Sequence, residues 1–519
     1  MRSGSIVGLV WTIVALLGLS SGSRILGLFP HPGLSHFKVF QPIMRGLAEA
    51  GHEVTVISYF PNAQKSVPPL PNYRDYAFEG PDVLTDSFSI EEQNTRDFVS
   101  NFIEFYELAD WGFSSCEAAL GSPALDEVLK LHRSKPFELI VTEFFSTDCM
   151  LGLAHVMNVP FVGLSSCALM PWHYDRIGLP DSPAYIPSEF SRFSERMGFW
   201  ERAENWIVTR AVKLLYHVVQ WNDDRLLAKK FPGLAIPSVR DIAKNASLVL
   251  VNQHYTLSGA RPLVPVVVEV GGVHIEPVKP LPDDLAKLLD SSVEGVILIS
   301  WGSVLRASTL PKPKRDAIFS ALKRLPYKVL WKWEDDNMDN IPPNVVIRKW
   351  LPQRDVLCHP NVRLFMAHGG LLGISEAVHC GVPIVATPFY GDQFLNAAAV
   401  VNRGAGVQMF YEQITPDYVF DCLQKALQPE IRQAARHLSD AFNHRPHTPL
   451  QLAIWSIENV LRHGVRRYER SYGSNLNLAV YYSWDVILAI SGVILLLCLL
   501  LIKIYHHLFG VKTAKVKRS

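Results

Sequence analysis

Between Trp350 and Gln393 the chain carries groups suited to holding a nucleoside diphosphate. Arg363 to Ala367 reads as a short buried strand. His368, Gly369 and Gly370 then make a tight turn, and a helix follows with Glu376 and Ala377 in its early turns. Bare amides at a helix N-terminus attract anions, and glycines let a phosphate approach the backbone closely. His368 adds a donor at the same place. Glu376 can accept from ribose hydroxyls. Trp350 offers a flat face for a base, with Gln353 as a polar edge beside it. Beyond the next strand, Asp392 and Gln393 form an adjacent carboxylate–amide pair able to hold several sugar hydroxyls. Each feature alone is common, since His-Gly-Gly is often only a turn. In this order they are specific.

The elements that must position these groups alternate between strand and helix patterns. Arg24 to Phe29 is an apolar strand. Phe40, Ile43, Met44, Leu47 and Ala48 recur at helical spacing, with Gly51 as a stop, and Glu53 to Tyr59 returns as a strand. This is a βαβ unit, the building block of a parallel sheet. The alternation recurs over Phe137 to Val162 and again after Val293, with strands expected at Gly295–Ser300, Tyr327–Trp331, Val345–Lys349, Arg363–Ala367 and Val382–Thr387. Two doubly wound domains fit, joined near Gly272 to Pro282. Ligands of such sheets bind beyond the carboxyl ends of the strands. The fingerprint GxGxxG is missing, and Gly404-Ala-Gly406 follows a helix rather than a strand, which argues against a nicotinamide oxidoreductase. Asp335 to Asn340 lacks the glycine and terminal glutamate of a calcium loop and reads as solvated. Seven cysteines show no CxxC spacing, so the pattern implies neither a zinc site nor a disulfide framework. The formal net charge of +1 over 519 residues gives no field for nucleic acid.

Both ends are apolar. Met1 to about Ser23 has a basic start, an apolar stretch from Ile6 to Leu19 and small residues after it, the form of a secretory signal peptide. Val486 to Ile502 carries no charge and is flanked by Tyr481, Tyr482, Trp484 and Tyr505; with its flanks it can cross about 30 Å of hydrocarbon. Basic residues lie on both sides of it, so the signal peptide sets the orientation: a lumenal body, one span, and a short cytosolic tail. Lys515 and Lys517 resemble a dilysine signal for return to the endoplasmic reticulum. Asn245-Ala-Ser247 is a glycosylation sequon. The expected division is 1–23 signal peptide, 24–275 first domain, 276–465 second domain, 466–484 juxtamembrane segment, 485–504 span and 505–519 tail.

The run Trp350-Leu-Pro-Gln353, the segment from Phe365 through His368-Gly-Gly to Glu376-Ala377, and Thr387 to Gln393 together resemble the signature of the animal UDP-glycosyltransferases, including their invertebrate branch. The resemblance covers nearly the whole chain. It implies the GT-B fold, two facing Rossmann-like domains with one C-terminal transmembrane helix, and a donor UDP-sugar in the second half. It further implies that Trp350 stacks on uracil, Gln353 meets the uridine and Glu376 binds ribose. Ser303 and His368 would contact the diphosphate with Gly370 and Gly373 nearby, Arg261 would lie near the phosphates, and Asp392 and Gln393 would grip the sugar. Leu372 departs from the small or polar residue of many relatives, leaving only its amide for phosphate. No cofactor or metal is expected beyond the UDP-sugar co-substrate. The expected partners are a small lipophilic acceptor and the membrane, with homo-oligomerisation left open.

His36, in Gly33-Leu-Ser-His-Phe37, resembles the family's Gly-Ser-His-aromatic motif. Ser35 is expected to cap the first helix and place His36 in its opening turn, where the positive helix end keeps the imidazole neutral. Such a ring can take the proton of an acceptor hydroxyl, and a single displacement turns an α-linked donor into a β-glycoside. His31 competes for the role. The family's orienting acid has two candidates after the strand Leu139 to Thr142. Glu143 matches the strand end, whereas Asp148 has the expected side-chain type and a stiffer carboxylate and is preferred. The resulting expectation is an inverting hexosyltransferase, with glucose as the sugar. The alternatives are glucuronosyl transfer, or a silent UDP-sugar-binding membrane protein.

Overall fold

A computed structural model describes residues 22–61, 70–80, 88–90, 97–335, 338–464 and 471–509. The signal-peptide stretch before residue 22 and the tail with Lys515 and Lys517 lie outside the described residues.

The first sheet draws on β1 (Arg24–Phe29), β2 (Glu53–Ser58) and β3 (Tyr73–Ala77). After a two-residue strand β4 (Phe88–Ser89), it continues with β5 (Leu139–Glu143), β6 (Phe161–Ser165), β7 (Leu248–Val251) and β8 (Val267–Glu269). The order is β3-β2-β1-β5-β6-β7-β8, all parallel. The second sheet is built from β9 (Val296–Ser300), then, after the short β10 (Leu305–Arg306), from β11 (Lys328–Lys332), β12 (Val345–Arg348), β13 (Val362–Ala367), β14 (Ile384–Ala386) and β15 (Gly406–Gln408). Its order is β12-β11-β9-β13-β14-β15, again parallel. The central strands are continuous apolar runs because helices cover both faces. Each order reverses direction once, between β1 and β5 and between β9 and β13. Such a switch point opens a crevice at the strands' carboxyl ends.

Five helices of the body matter to the site. They are α1 (Leu34–Glu49), α2 (Ser100–Gly121), α3 (Cys149–Met157), the long α4 (Phe199–Lys230) and α5 (Gln353–Leu357). Two more follow the second switch, α6 (Leu371–His379) and α7 (Gln393–Asn402). Several contacts join the domains. β4 pairs with β10, so a first-domain segment lies over the loop after β9, where Phe88 stacks on Tyr390 at 5.0 Å. Glu195 accepts from Asn402 (3.0 Å) and Arg403 (3.2 Å).

Two features differ from the sequence reading. α8 (Pro449–His463) does not stay with the second sheet: Ala453, Ile457 and Val460 join the core of Phe40, Ile43 and Leu47 on α1. The boundary at 465 therefore misplaces this helix, whose apolar face is complementary to α1 rather than to its own domain. Two disulfides, Cys116–Cys149 and Cys358–Cys380, form from cysteines whose spacing gave no framework. The last helix, α9 (Trp484–Phe509), has no buried residue and is long and apolar enough to cross a membrane.

Candidate active site

The first switch point carries groups suited to acid–base chemistry. β1 ends at Phe29 and α1 begins at Leu34, so His36 is the third helical residue; Gly33, not Ser35, is the N-cap, and no side chain caps the helix. β5 is the immediate neighbour of β1 and ends at Glu143, which brings that carboxylate beside the imidazole. His36 Nδ1 and Glu143 Oε1 are 2.5 Å apart. Ser166, just beyond β6, places its Oγ 2.8 Å from Nδ1 and 3.4 Å from the same carboxylate oxygen. With Nδ1 engaged, Nε2 is the nitrogen left for another molecule. Burial lowers the His36 pKa to about 3 and pushes that of Glu143 up to about 7, so the uncharged imidazole is the favoured form at neutral pH. Phe145 meets the His36 ring edge to face at 4.5 Å and His31 packs 4.3 Å away on another side. Burial holds His31 at about 3 as well.

Asp148 lies elsewhere. It occupies the N-cap position of α3 without capping it. Its two oxygens accept from Arg176 Nη1 and Nη2, each at 2.8 Å, and from Gln220 at 2.9 Å. The preference for Asp148 as partner of His36 is corrected here. Five residues beyond the strand end the chain has turned away from the crevice, and the carboxylate is consumed by a buried guanidinium.

The second switch point faces the first across the cleft. The turn His368 to Gly370 follows β13, with Gly369 at φ +96. A Cβ there would come within 2.8 Å of the Gln393 carbonyl oxygen, so the position admits only glycine. His368 is held near pKa 4 by burial, with Lys332 adding to the effect, and its Nδ1 has no partner. Lys332 Nζ donates to Gly302 O (2.9 Å), in the turn after β9 that includes Ser303. An unpartnered ring nitrogen and the α6 amides thus stand together where an anion fits, with Lys332 nearby and ion-paired to Glu334 at 3.0 Å. Gly373 stands against Gln353, whose Nε2 donates to Glu376 Oε2 at 2.7 Å. Trp350 is 70% exposed, leaving its indole open to stacking. Asp392 Oδ2 accepts from Asn396 Nδ2, which also donates to Gly369 O. Gln393 does not point outward with Asp392. It is buried, and its Oε1 accepts from the amides of Phe389 and Tyr390, holding the loop that carries Asp392. Arg261 donates to Tyr174 Oη (3.0 Å) and shares a small inter-domain cavity with Gln253, Leu371 and Asn396.

Sequence reasoning missed Ser166, Lys332 and Glu189. Glu189 is buried, with Oε1 unpartnered, and in the electrostatic reach of Arg261 and Asp392; burial pushes its pKa up to about 8. Only the preceding strand patterns around Ser166 and Lys332 hinted at crevice positions.

Of the aromatics on α2, Phe102, Phe105, Tyr106 and Phe113 face Leu215 and Val218 of α4 across a cavity of about 730 Å³. Trp111 turns instead to Phe88 at 5.5 Å. Phe105 meets Trp172 at 5.9 Å, and Trp172 Nε1 donates to the carbonyl of Phe145, the residue against His36.

The family model described as "UDP-glucoronosyl and UDP-glucosyl transferase" matches residues 28–519. A "UDP-glucosyltransferase 2" of Dactylopius coccus is 33% identical over 515 residues, covering 97% of this chain and 98% of that one. A "2-hydroxyacylsphingosine 1-beta-galactosyltransferase" of Mus musculus is 28% identical, covering 94% and 88%. Among solved structures, a glycotransferase of kitacinnamycin superposes with a TM-score of 0.57 at 15% identity, covering 86% of this chain and 99% of that one; this shares the GT-B fold. The protein therefore belongs to the UDP-glucuronosyl and UDP-glucosyl transferase family and is a UDP-sugar-dependent glycosyltransferase.

Proposed function

We propose that this enzyme moves glucose from UDP-glucose to a hydroxyl of a small lipophilic acceptor with inversion at the anomeric carbon. The observation that carries the reading is the imidazole of His36, partly buried, uncharged and held by Glu143 at one switch point, opposite the anion-suited turn of His368 at the other. His36 Nε2 takes the acceptor's hydroxyl proton as the oxygen attacks the anomeric carbon. The bond from that carbon to the UDP oxygen breaks, and UDP leaves with the electron pair. Glu143 fixes the ring through Nδ1 and balances the imidazolium that forms. The α6 amides, His368 and Lys332 take the diphosphate charge, Trp350 and Gln353 the uridine, Glu376 the ribose. Asp392 takes sugar hydroxyls, and Gln393 holds its loop. No metal enters this scheme.

Glucose is favoured because the Dactylopius relative is named for glucosyl transfer. A lipophilic acceptor is supported by the relative named for an acylsphingosine and by the apolar cavity between α2 and α4, linked to His36 through Phe105, Trp172 and Phe145. The outer face of α4 also exposes Trp206, Leu214 and Trp221. Its Arg210 donates to Tyr482 Oη (2.7 Å), two residues before the apolar helix, so this face lies next to the membrane. The body is read as lumenal in the endoplasmic reticulum, anchored by α9 after removal of the signal peptide.

The test is a panel of UDP-glucose, UDP-glucuronate and UDP-galactose against mixed phenolic and steroid acceptors, with product mass and anomeric configuration as readouts. A β-glucoside is expected from the parent, and a loss of about 10²- to 10⁴-fold in kcat from His36→Ala. Transfer of glucuronate alone, an α-product, or an His36→Ala enzyme as fast as the parent would each sink the scheme.

A further inference from the structure

The residues assigned to the uridine and ribose stand on, or directly before, two adjacent helices. α5 has five residues, too few to hold a helical shape unaided. It nonetheless carries Gln353 at its first position, directly after Trp350-Leu-Pro. α6 carries Glu376 and offers its amides to the phosphates. Cys358 is the C-cap of α5, Cys380 the C-cap of α6, and the two are joined with Cα atoms 4.8 Å apart and a sequence separation of 22. The covalent loop encloses β13, the His368 turn and all of α6. At the ligand end the pairing has the Gln353–Glu376 hydrogen bond, and Gly373, where a Cβ would stand 3.3 Å from Gln353 Nε2; further along, Val356 and Leu357 of α5 share an apolar cluster with Ile374, Ala377 and Val378 of α6. On its other side α5 is tied to the segment before the second domain, where Lys279 N donates to Asp355 Oδ1 at 2.9 Å.

We infer that the Cys358–Cys380 disulfide is a positioning device for the donor. It fixes α5 against α6 so that the base-facing and ribose-facing side chains keep one spacing. The inference rests on the assignment of this cradle as the nucleotide site. Its physical basis is that a ligand bridging two elements binds more tightly when their relative placement is set before binding. The bond lies at the helix ends away from the ligand and touches no reacting group. Its effect belongs in donor affinity and not in the chemical step.

The experiment uses the full chain in detergent or nanodiscs, with UDP as the titrant. Peptide mapping after alkylation first establishes the pairing in the parent. Cys358→Ser/Cys380→Ser is then compared with Cys116→Ser/Cys149→Ser, which removes the disulfide that joins α2 to α3 in the first domain. The expected result is a UDP Kd raised about fivefold or more in the first variant. The donor KM rises with it, while kcat at saturating donor and the acceptor KM stay unchanged; the second variant keeps the parent's UDP Kd. A staple that serves stability alone lowers the melting temperature and leaves the UDP Kd alone, which overturns the inference. So do free thiols at Cys358 and Cys380 in the parent.

If the serine variant does not fold, the parent carries the test. In a glutathione buffer, two glutathione thiols reduce the bond to two cysteine thiols and leave as glutathione disulfide. By linkage, a bond that strengthens UDP binding is itself strengthened by UDP. Saturating UDP is expected to make Cys358–Cys380 harder to reduce by the same factor of about five or more, with Cys116–Cys149 unmoved. Equal reduction with and without UDP overturns the inference. A parent that binds no UDP at all sinks the nucleotide-site assignment instead, so the two failures are distinguishable.

Discussion

His36 and Asp148 lie within one loop-length of each other's elements, yet only Glu143 reaches the imidazole. The difference is a matter of side-chain partners. Glu143 is the last residue of a strand adjacent to β1 and has His36 and Ser166 as its polar neighbours. Asp148 is 1% exposed and bound at both oxygens by Arg176. Two substitutions of equal size therefore part company. Glu143→Gln is expected to fold with the parent's stability to within a few kcal/mol and to lose kcat by up to about 10⁴-fold, as the orienting charge is gone. Asp148→Asn leaves the Arg176 guanidinium buried with half its compensation, which costs about 3–5 kcal/mol. Once folded at low temperature it keeps kcat. Paired melting curves and initial rates check this, and the reverse pattern would restore Asp148 as the acid. His36 was legible from its turn-then-helix context. The choice of acid was not, because side-chain type and sequence distance carry no information about which strand becomes a neighbour.

At the scale of elements, the strands named from the sequence were placed almost to the residue, while β3, β7, β8 and β15 were not named. Arg24–Phe29 is β1 as expected, and the five second-domain strands differ from expectation only at their ends. Period and β-branched content suffice where a strand is buried on both faces. What failed was the assignment of a helix to a domain. α8 is amphipathic, and an apolar stripe does not name its partner. The pairing with α1 is set by fit: Ile454 lies against Gly46, where any Cβ would stand 2.6 Å from its Cδ1. Because α1 carries His36 in its first turn, α8 supports the helix that holds His36. Ile457→Ala is expected to cost about 2–5 kcal/mol and to speed amide exchange along Leu34–Glu49 ahead of exchange in the second sheet. Exchange on α1 that stays at the parent's rate would remove α8 from that supporting role.

At the scale of the whole molecule the two crevices face each other, and Glu189 of the first domain feels Asp392 of the second. Its carboxyl titrates near 8 in the fold against an ordinary 4.5. The folded state thus holds a proton that the unfolded chain has released between those values. The stability this contributes is full below 4.5 and is lost as pH rises through about 8, at a rate of up to about 1.4 kcal/mol per pH unit. Glu189→Gln is expected to flatten the fall in melting temperature between pH 5 and 8 relative to the parent. Parallel curves would show that this carboxyl is solvated in solution. By itself the sequence determined the two doubly wound sheets, the glycine turn between β13 and α6, the apolar terminal helix and the place of His36 in the opening turn of α1, because periodicity and glycine placement are local. The partner of His36, the inward turn of Gln393, the return of α8 and the pairing of Cys358 with Cys380 were decided only in the tertiary structure. Each depends on which strands and helices become neighbours, and that is fixed by packing across the chain rather than by any one stretch of it.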